Sequence, residues 1–222
     1  GTVIALDIES AGDIDNDTFA AGRILSIALW NGKFGVVIPE ELAETDKAAE
    51  TIKRLCDTCT VVCHNGTFDM PYLSKRLGIN VYHHEDTLLM HFVLDNLAGE
   101  HGLKPLARRW LRAADWDSEA KKYLKHNAHF ENIPREKLYK YNIYDSYWTH
   151  RLYEYFKPMV EKAQQVLNFY KHRMRVTRVL HDVQMNGVEV SLDALDKLEE
   201  KYKHQCNEYL AVLRSIAGED FN

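Results

Sequence analysis

Up to residue 85, apolar positions come in short runs bounded by turn residues, with few helical stripes between them. Val3 to Leu6, followed by Ile8, predict a buried strand over residues 2–8. Residues 10–22 are polar, carry Gly12 and Gly22, and read as a loop. Arg23 to Trp30 predicts a second strand, Asn31-Gly32 a two-residue hairpin turn, and residues 33–38 a third strand. The spacing is helical over residues 46–56 with Thr45 as N-cap, and residues 60–64 form a short apolar strand. A helix over residues 67–77 ends at Gly78, and residues 79–82 predict a fifth strand. From Asp86 the pattern is helical: 86–97, 103–112, 117–125 and 134–157, the last with a break. The character changes after Pro158. Residues 159–185 predict one long amphipathic helix, Asn186-Gly187 stops it, and Ser191 caps another over 192–216. A strand meander, then helix-strand-helix-strand, then helices predicts a mixed α/β domain over residues 1–158 and a helical extension over 159–222.

Several carboxylates stand out against this pattern. Strand side chains alternate, so Asp7 and Glu9 point to one face. Two carboxylates side by side in a sheet repel each other and lose hydration. A divalent metal would offset that cost, and a hydrated strand end would avoid it. In His64-Asn65-Gly66-Thr67-Phe68-Asp69, a strand ends, a tight turn follows and an acid enters the first turn of a helix. Parallel packing of that strand on the first would bring Asp69 beside Asp7 and Glu9. The helix dipole also favours an acid there. Tyr141 and Asp145, four apart, share a helix face flanked by Tyr144, Tyr147 and Trp148. That face is either a site or a tyrosine-rich packing surface with a solvated acid.

Other motifs fail on spacing. Asp13, Asp15 and Asp17 open like a calcium loop, but its sixth position is Thr18 and its twelfth Ile24. Cys56, Cys59 and Cys63 have no second pair or spaced histidines to complete a zinc site, and read as structural. His83-His84-Glu85 lacks the four-residue spacing of a metalloprotease motif and reads as surface polarity.

A hydrophobic fraction of 45% over 222 residues supports a sizeable core. No run of about 18 apolar residues is present to span a membrane. Four cysteines, three of them clustered, predict a reducing compartment. The net charge of −5 argues mildly against a nucleic-acid binder. Its distribution matters more. Residues 1–100 hold 7 Lys/Arg against 16 Asp/Glu, and residues 101–150 hold 10 against 6. An acidic half facing a basic segment fits acids that hold metal beside basic residues that meet phosphate, although ordinary solvated helix charge gives the same count. The chain opens on a strand-like run without an initiator methionine, which predicts a segment of something longer.

In combination the motifs are more specific. Asp7 and Glu9 on strand one, Asn65-x-x-Phe68-Asp69, and Tyr141-x-x-x-Asp145 resemble the three exonuclease motifs of the DEDD superfamily. Lys140 stands where the His-type branch has histidine, so the resemblance is to the Tyr-type branch. Residues 85–95 and 101–107 are similar to helices of the proofreading domain of family A DNA polymerases, and residues 176–192 to the segment opening the polymerase domain. Ser10 replaces the usual threonine of the first motif.

The resemblance implies a ribonuclease-H-like fold, a mixed five-stranded sheet flanked by helices. It implies that Asp7, Glu9, Asp69 and Asp145 hold two divalent ions, Mg²⁺ or Mn²⁺, for in-line phosphodiester hydrolysis. Tyr141 would orient the attacking water, and nucleoside 5′-monophosphates would leave a single-stranded or frayed DNA 3′ end. Asn65 and Ser10 would meet that strand. Lys104 and Arg108, with Arg109 and Arg112, are backbone-contact candidates or a solvated helix face, and Phe68 is expected in the core. The implied partner is a polymerase domain in the same polypeptide, in the cytoplasm of a bacterial or phage-infected cell, without a membrane. Two other classes remain: a catalytically silent binding module, and a stand-alone exoribonuclease similar to ribonuclease D. The full set of acids argues against the first, and residues 176–192 against the second.

Overall fold

The computed structural model describes residues 1–12, 22–96, 99–124 and 129–218. Five strands make one mixed sheet: β1 (Val3–Ala11), β2 (Arg23–Trp30), β3 (Gly35–Pro39), β4 (Thr60–Cys63) and β5 (Glu85–Asp86). Their order is β3-β2-β1-β4-β5. β1 is central, antiparallel to β2 (Asp7 opposite Ala28) and parallel to β4 (Ile4 opposite Val61). The helices are α1 (Glu40–Ala43), α2 (Asp46–Thr58), α3 (Gly66–Leu77), α4 (Thr87–Leu94), α5 (Leu103–Leu111), α6 (Ser118–Lys121), α7 (Arg135–Lys162), α8 (Gln164–Asn186) and α9 (Leu192–Ala217). This is the helix-flanked, ribonuclease-H-like arrangement that the sequence implies.

Alternation in β1 decides which face the acids take. Leu6 and Ile8 pack in one core with Ile52 and Cys56 of α2 and Met70 and Leu73 of α3. Asp7 and Glu9 therefore turn to the opposite face, which α7 crosses. On that side Val62 of β4 packs with Leu152, Tyr153 and Phe156 of α7, Met90 of α4 and Leu106 of α5. α7 sits close to the sheet. Ser146 Oγ donates to the Ala28 carbonyl at 3.1 Å. A Cβ on Gly35 would come within 2.5 Å of Ile143 Cδ1 and 2.6 Å of Trp30 Cε3, so a larger residue there would force these side chains to shift.

The turn before α3 rests on Asp86. Asn65 adopts a left-handed backbone (φ 67°), and a Cβ on Gly66 would lie 2.8 Å from both Cys63 Cβ and His83 Cγ. The buried Asp86 carboxylate accepts from the backbone amides of Asn65 (3.2 Å), Gly66 (2.8 Å), Leu88 (2.9 Å) and Leu89 (3.2 Å). Its Oδ2 also lies 3.3 Å from His83 Nε2. Burial raises this carboxyl, but His83, His64 and the Gly66 amide outweigh burial and hold it below its ordinary value.

Several expected boundaries move. The β2–β3 connection is four residues, 31–34, because Asn31 Oδ1 accepts from the amides of both Lys33 and Phe34 and closes a wider turn than Asn-Gly alone. The short helix α1 follows Pro39 where no helix is expected. Residues 79–82 are not a strand; β4 finds its parallel partner in Glu85–Asp86. α4 ends at Leu94 and α6 is a single turn. α7 runs unbroken through Pro158 to Lys162, with buried Phe156 and Val160 on either side of the proline offsetting the lost hydrogen bond. His83 is buried where surface polarity is expected, since it faces Asp86. Phe68, expected in the core, is 39% exposed and rests against Tyr72 at 5.6 Å between ring centroids. The loop of Asp13, Asp15 and Asp17 lies outside the described residues.

The chain forms two compact units, Gly1–Met185 and Asn186–Asn222. In the second, Ser191 Oγ caps α9 by accepting from the Ala194 amide at 3.3 Å. Along α9, Leu195, Leu198, Tyr202, Tyr209, Leu213 and Ile216 recur at mostly three- and four-residue spacing.

Asp86→Ala leaves four backbone donors and His83 without their acceptor. The expected loss is about 3–5 kcal/mol of unfolding free energy, the scale for deleting one partner of a buried charged network. Urea denaturation followed by circular dichroism measures it. A loss below about 1 kcal/mol, the scale of an ordinary surface change, would count against this role.

Candidate active site

The pleat of β1 presents Asp7 and Glu9, and a register shift in its pairing with β2 falls just after Glu9. Asp145 enters from α7. One carboxylate oxygen from each of Asp7, Glu9 and Asp145 lies within 4.8 Å of the others. Asp69 stands outside that triplet. It sits in the first turn of α3, and its Oδ1 accepts from the Ile8 amide at 3.1 Å, between the two acids of β1. The structure thus brings all four expected carboxylates to one end of the sheet. Three are close enough to share one ion, and the fourth is tied to the strand that carries two of them.

Electrostatics shows the strain of this convergence. Burial, then the charges of Asp69, Asp145 and Glu9, raise the Asp7 carboxyl well above its ordinary value. Burial and then Asp145 do the same to Glu9. Burial pushes Asp69 up to about 7, against the pull of the Ile8 amide. Asp145 is raised as well, chiefly by burial, with Lys104, Trp116 and Tyr141 acting against it. Three buried acids and the half-buried Asp7 thus all resist ionisation, chiefly because they have lost hydration.

Residues around the cluster set its geometry. Asn142 Nδ2 donates to Asp7 Oδ2 at 2.6 Å and is itself held by Ser26 Oγ, which donates to Asn142 Oδ1 at 2.8 Å. Trp116 Nε1 donates to Asp145 Oδ1 at 2.6 Å. Tyr141, one turn before Asp145, hydrogen-bonds that carboxylate, and burial followed by the charges of Asp145, Glu9 and Asp7 raises its hydroxyl far above the usual phenol range. Sequence reasoning misses Asn142 and Trp116. Asn142 had a signal: it belongs to the buried stripe Leu138, Asn142, Asp145, Ser146 and Thr149 of α7. Trp116 had none, since it reaches the site from the segment between α5 and α6.

The other expected contacts fall as follows. Asn65 is exposed, and its Oδ1 accepts from Thr67 Oγ1 at 2.8 Å. Ser10 hydrogen-bonds the Tyr72 hydroxyl. Lys104 pairs with Asp145 Oδ2 and lies 4.6 Å from the centre of the Tyr141 ring. Arg108 pairs with Asp117 at 2.7 Å and Asp115 at 3.3 Å, bracketing Trp116. It fastens the segment that carries the tryptophan. Beside Tyr141 a cleft of about 280 Å³ opens, lined by Trp116, Tyr144, Trp148, Lys137 and Lys140. Tyr144, expected as core-like flank, is 39% exposed along this cleft.

Comparison with known proteins gives this arrangement a family. Residues 1–161 match the model of the 3′-5′ exonuclease family of family A DNA polymerases. The chain is 28% identical over 223 aligned residues to the DNA polymerase of Escherichia phage T5, covering 92% of this chain and 26% of that polymerase, so it spans about a quarter of its relative's length. Among solved structures, Brucella melitensis NrnC with bound Mg²⁺ is similar with a TM-score of 0.66 and 19% identity, over 86% of this chain and 89% of that one. The Trypanosoma brucei RNase D in complex with GMP is similar with a TM-score of 0.65 and 16% identity, over 86% and 60%. Both likenesses are of fold. By its family match and the acids that meet on β1, α3 and α7, this chain belongs to the 3′-5′ exonuclease family of family A DNA polymerases.

Proposed function

We propose that this divalent-metal-dependent 3′-5′ exonuclease removes nucleoside 5′-monophosphates from single-stranded or frayed DNA 3′ ends, as the proofreading part of a family A polymerase. On this reading residues 1–158 are the nuclease and residues 159–222 open the polymerase domain of the same polypeptide. The observation that carries the nuclease site is the meeting of Asp7, Glu9 and Asp145 oxygens within 4.8 Å, with Tyr141 on Asp145 at the mouth of a cleft lined by aromatic and lysine side chains.

The donor set fits hard cations: all four candidate ligands are carboxylates, and all four are raised, chiefly by burial. Asp7, Glu9, Asp69 and Asp145 would hold two ions, Mg²⁺ or Mn²⁺. Bound there, they would supply charge stabilisation for in-line displacement at phosphorus. Tyr141 keeps its proton, because burial and three nearby acids oppose phenolate formation. It is therefore a hydrogen-bonding group that orients the attacking water, and not a base. Asn142 holds Asp7 in place through one carboxylate oxygen and leaves the other for a ligand. Trp116, Tyr144 and Trp148 offer ring faces to unstacked bases, and Lys137 and Lys140 offer charge to the backbone. The deoxyribonuclease reading is favoured over a ribonuclease because likeness to the T5 polymerase is in sequence as well as family model.

A 5′-labelled pair of matched DNA and RNA oligonucleotides, in Mg²⁺ or in EDTA, tests this. Shortening of the DNA from its 3′ end in Mg²⁺ alone is expected, with RNA degraded more slowly. Preferred digestion of RNA would replace the proofreading assignment. Asp7→Ala should cut turnover by more than about a thousandfold with the fold retained, the equivalent of several kcal/mol of transition-state stabilisation. Tyr141→Phe should cost about a hundredfold in kcat, the scale of a misplaced reactant, while Mg²⁺ still binds. Wild-type turnover by either variant removes that residue from the mechanism.

The raised carboxyls also set a pH dependence. Asp69 titrates at about 7 in the folded chain, above its ordinary value, so the folded metal-free protein holds protons that the unfolded chain has released. That contribution is full at acid pH and is lost as pH rises toward 7. Divalent metal needs the ionised cluster. The difference between the melting temperatures in Mg²⁺ and in EDTA should therefore widen from about pH 5 to pH 8, spanning this titration. Buried histidines such as His64, lowered to about 4, cancel in the difference. A flat difference across that range counts against the cluster as the metal site.

A further inference from the structure

Asp145 has no idle oxygen. Oδ1 accepts from Trp116 Nε1, and Oδ2 is taken by the ammonium of Lys104. The lysine comes from the first turn of α5, and its side chain is only 21% exposed. Its charge reaches past Asp145 and also acts on Asp7 and Glu9. The same ammonium lies over the Tyr141 ring. Lys104 thus stands in the cluster itself, between Asp145 and the Tyr141 ring.

A carboxylate oxygen cannot hold an ammonium and a divalent ion side by side without strong repulsion between the two cations. One must give way. Lysine is suited to yield, being a point charge on a flexible four-carbon stem, and the Tyr141 ring face gives its ammonium a second place to rest. Arg108, one turn further along α5, could not exchange in this way, because Asp115 and Asp117 clamp it.

We propose that Lys104 is a displaceable counter-cation, seated on Asp145 when the acid cluster holds no metal and driven off that carboxylate when a divalent ion binds. This rests on the reading of the cluster as a metal site. Two effects of opposite sign follow. Lys104 supports the folded metal-free protein by offsetting four converging acids. It also weakens metal binding, since each ion that reaches Asp145 must first break a charged hydrogen bond. Once displaced, the ammonium stays beside the Tyr141 ring. Lys104 is a positioning residue here, acting through Asp145.

The test is Mn²⁺ binding without nucleic acid, read from the electron paramagnetic resonance of free Mn²⁺, for wild type, Lys104→Met and Lys104→Gln. Melting in EDTA is measured alongside. Both neutral variants should bind Mn²⁺ about tenfold more tightly, the equilibrium worth of one hydrogen bond to a charged group, and both should melt lower than wild type in EDTA. Lys104→Arg keeps the charge and should stay near wild type in affinity. A lysine that merely packs would lower stability and affinity together, so unchanged or weaker binding in both neutral variants overturns the proposal. The glutamine variant removes the charge with a polar, shorter side chain, which guards against misfolding of the methionine form. Failure of wild type to take up any Mn²⁺ would instead overturn the metal reading on which the proposal stands.

Discussion

Carboxylates repel, and this fold forces four of them to one end of its central strand. Each is pushed toward its neutral form chiefly by burial, and like charge from the other acids adds to this at Asp7 and Glu9. The surrounding structure holds that arrangement against its own preference. Asp69 is fixed by the Ile8 amide, Asp7 by Asn142, and Asp145 by Trp116 and Lys104. The apolar cores on both faces of the sheet supply the free energy that this opposes. On the proposed reading this charge deficiency is what a metal would answer, since a cluster already satisfied by protein cations would have little affinity for one.

A second carboxylate shows the contrasting solution. Asp86 is as buried as any of the four, yet it is held below its ordinary value, because backbone amides and His83 satisfy it fully. It shapes the Asn65-Gly66 turn, and that turn delivers Asp69 to β1. The fold therefore separates two uses of the same side chain. A satisfied acid builds the frame, and unsatisfied acids are presented on it.

Much of this was legible in the sequence, for identifiable reasons. Strand alternation placed Asp7 and Glu9 on one face, and helical spacing paired Tyr141 with Asp145, because both periods are properties of the backbone alone. β2 and the N-cap of α2 fall where their residues predict. Long-range requirements were harder to read. β5 at Glu85–Asp86 exists only through its pairing with the outer edge of β4, which two polar residues do not announce. Trp116 reaches Asp145 from an irregular segment that has no period to read. Lys104 and Arg108 look alike on one helix, and only the placement of Asp145 and Asp117 shows that each is engaged by an acid of this chain.

The contact between Asn142 and Asp7 joins residues 135 apart in sequence. Its partners lie on the first strand and the last long helix of the sheet domain, so no shorter stretch of chain contains a finished site. During synthesis, the ribosome would release β1 long before α7 exists. The acids on β1 would wait, separated from Asp145, until the whole domain had closed around them. On the proposed reading, hydrolytic capacity is thus a late product of folding, and an incomplete chain would carry the acids without a finished site.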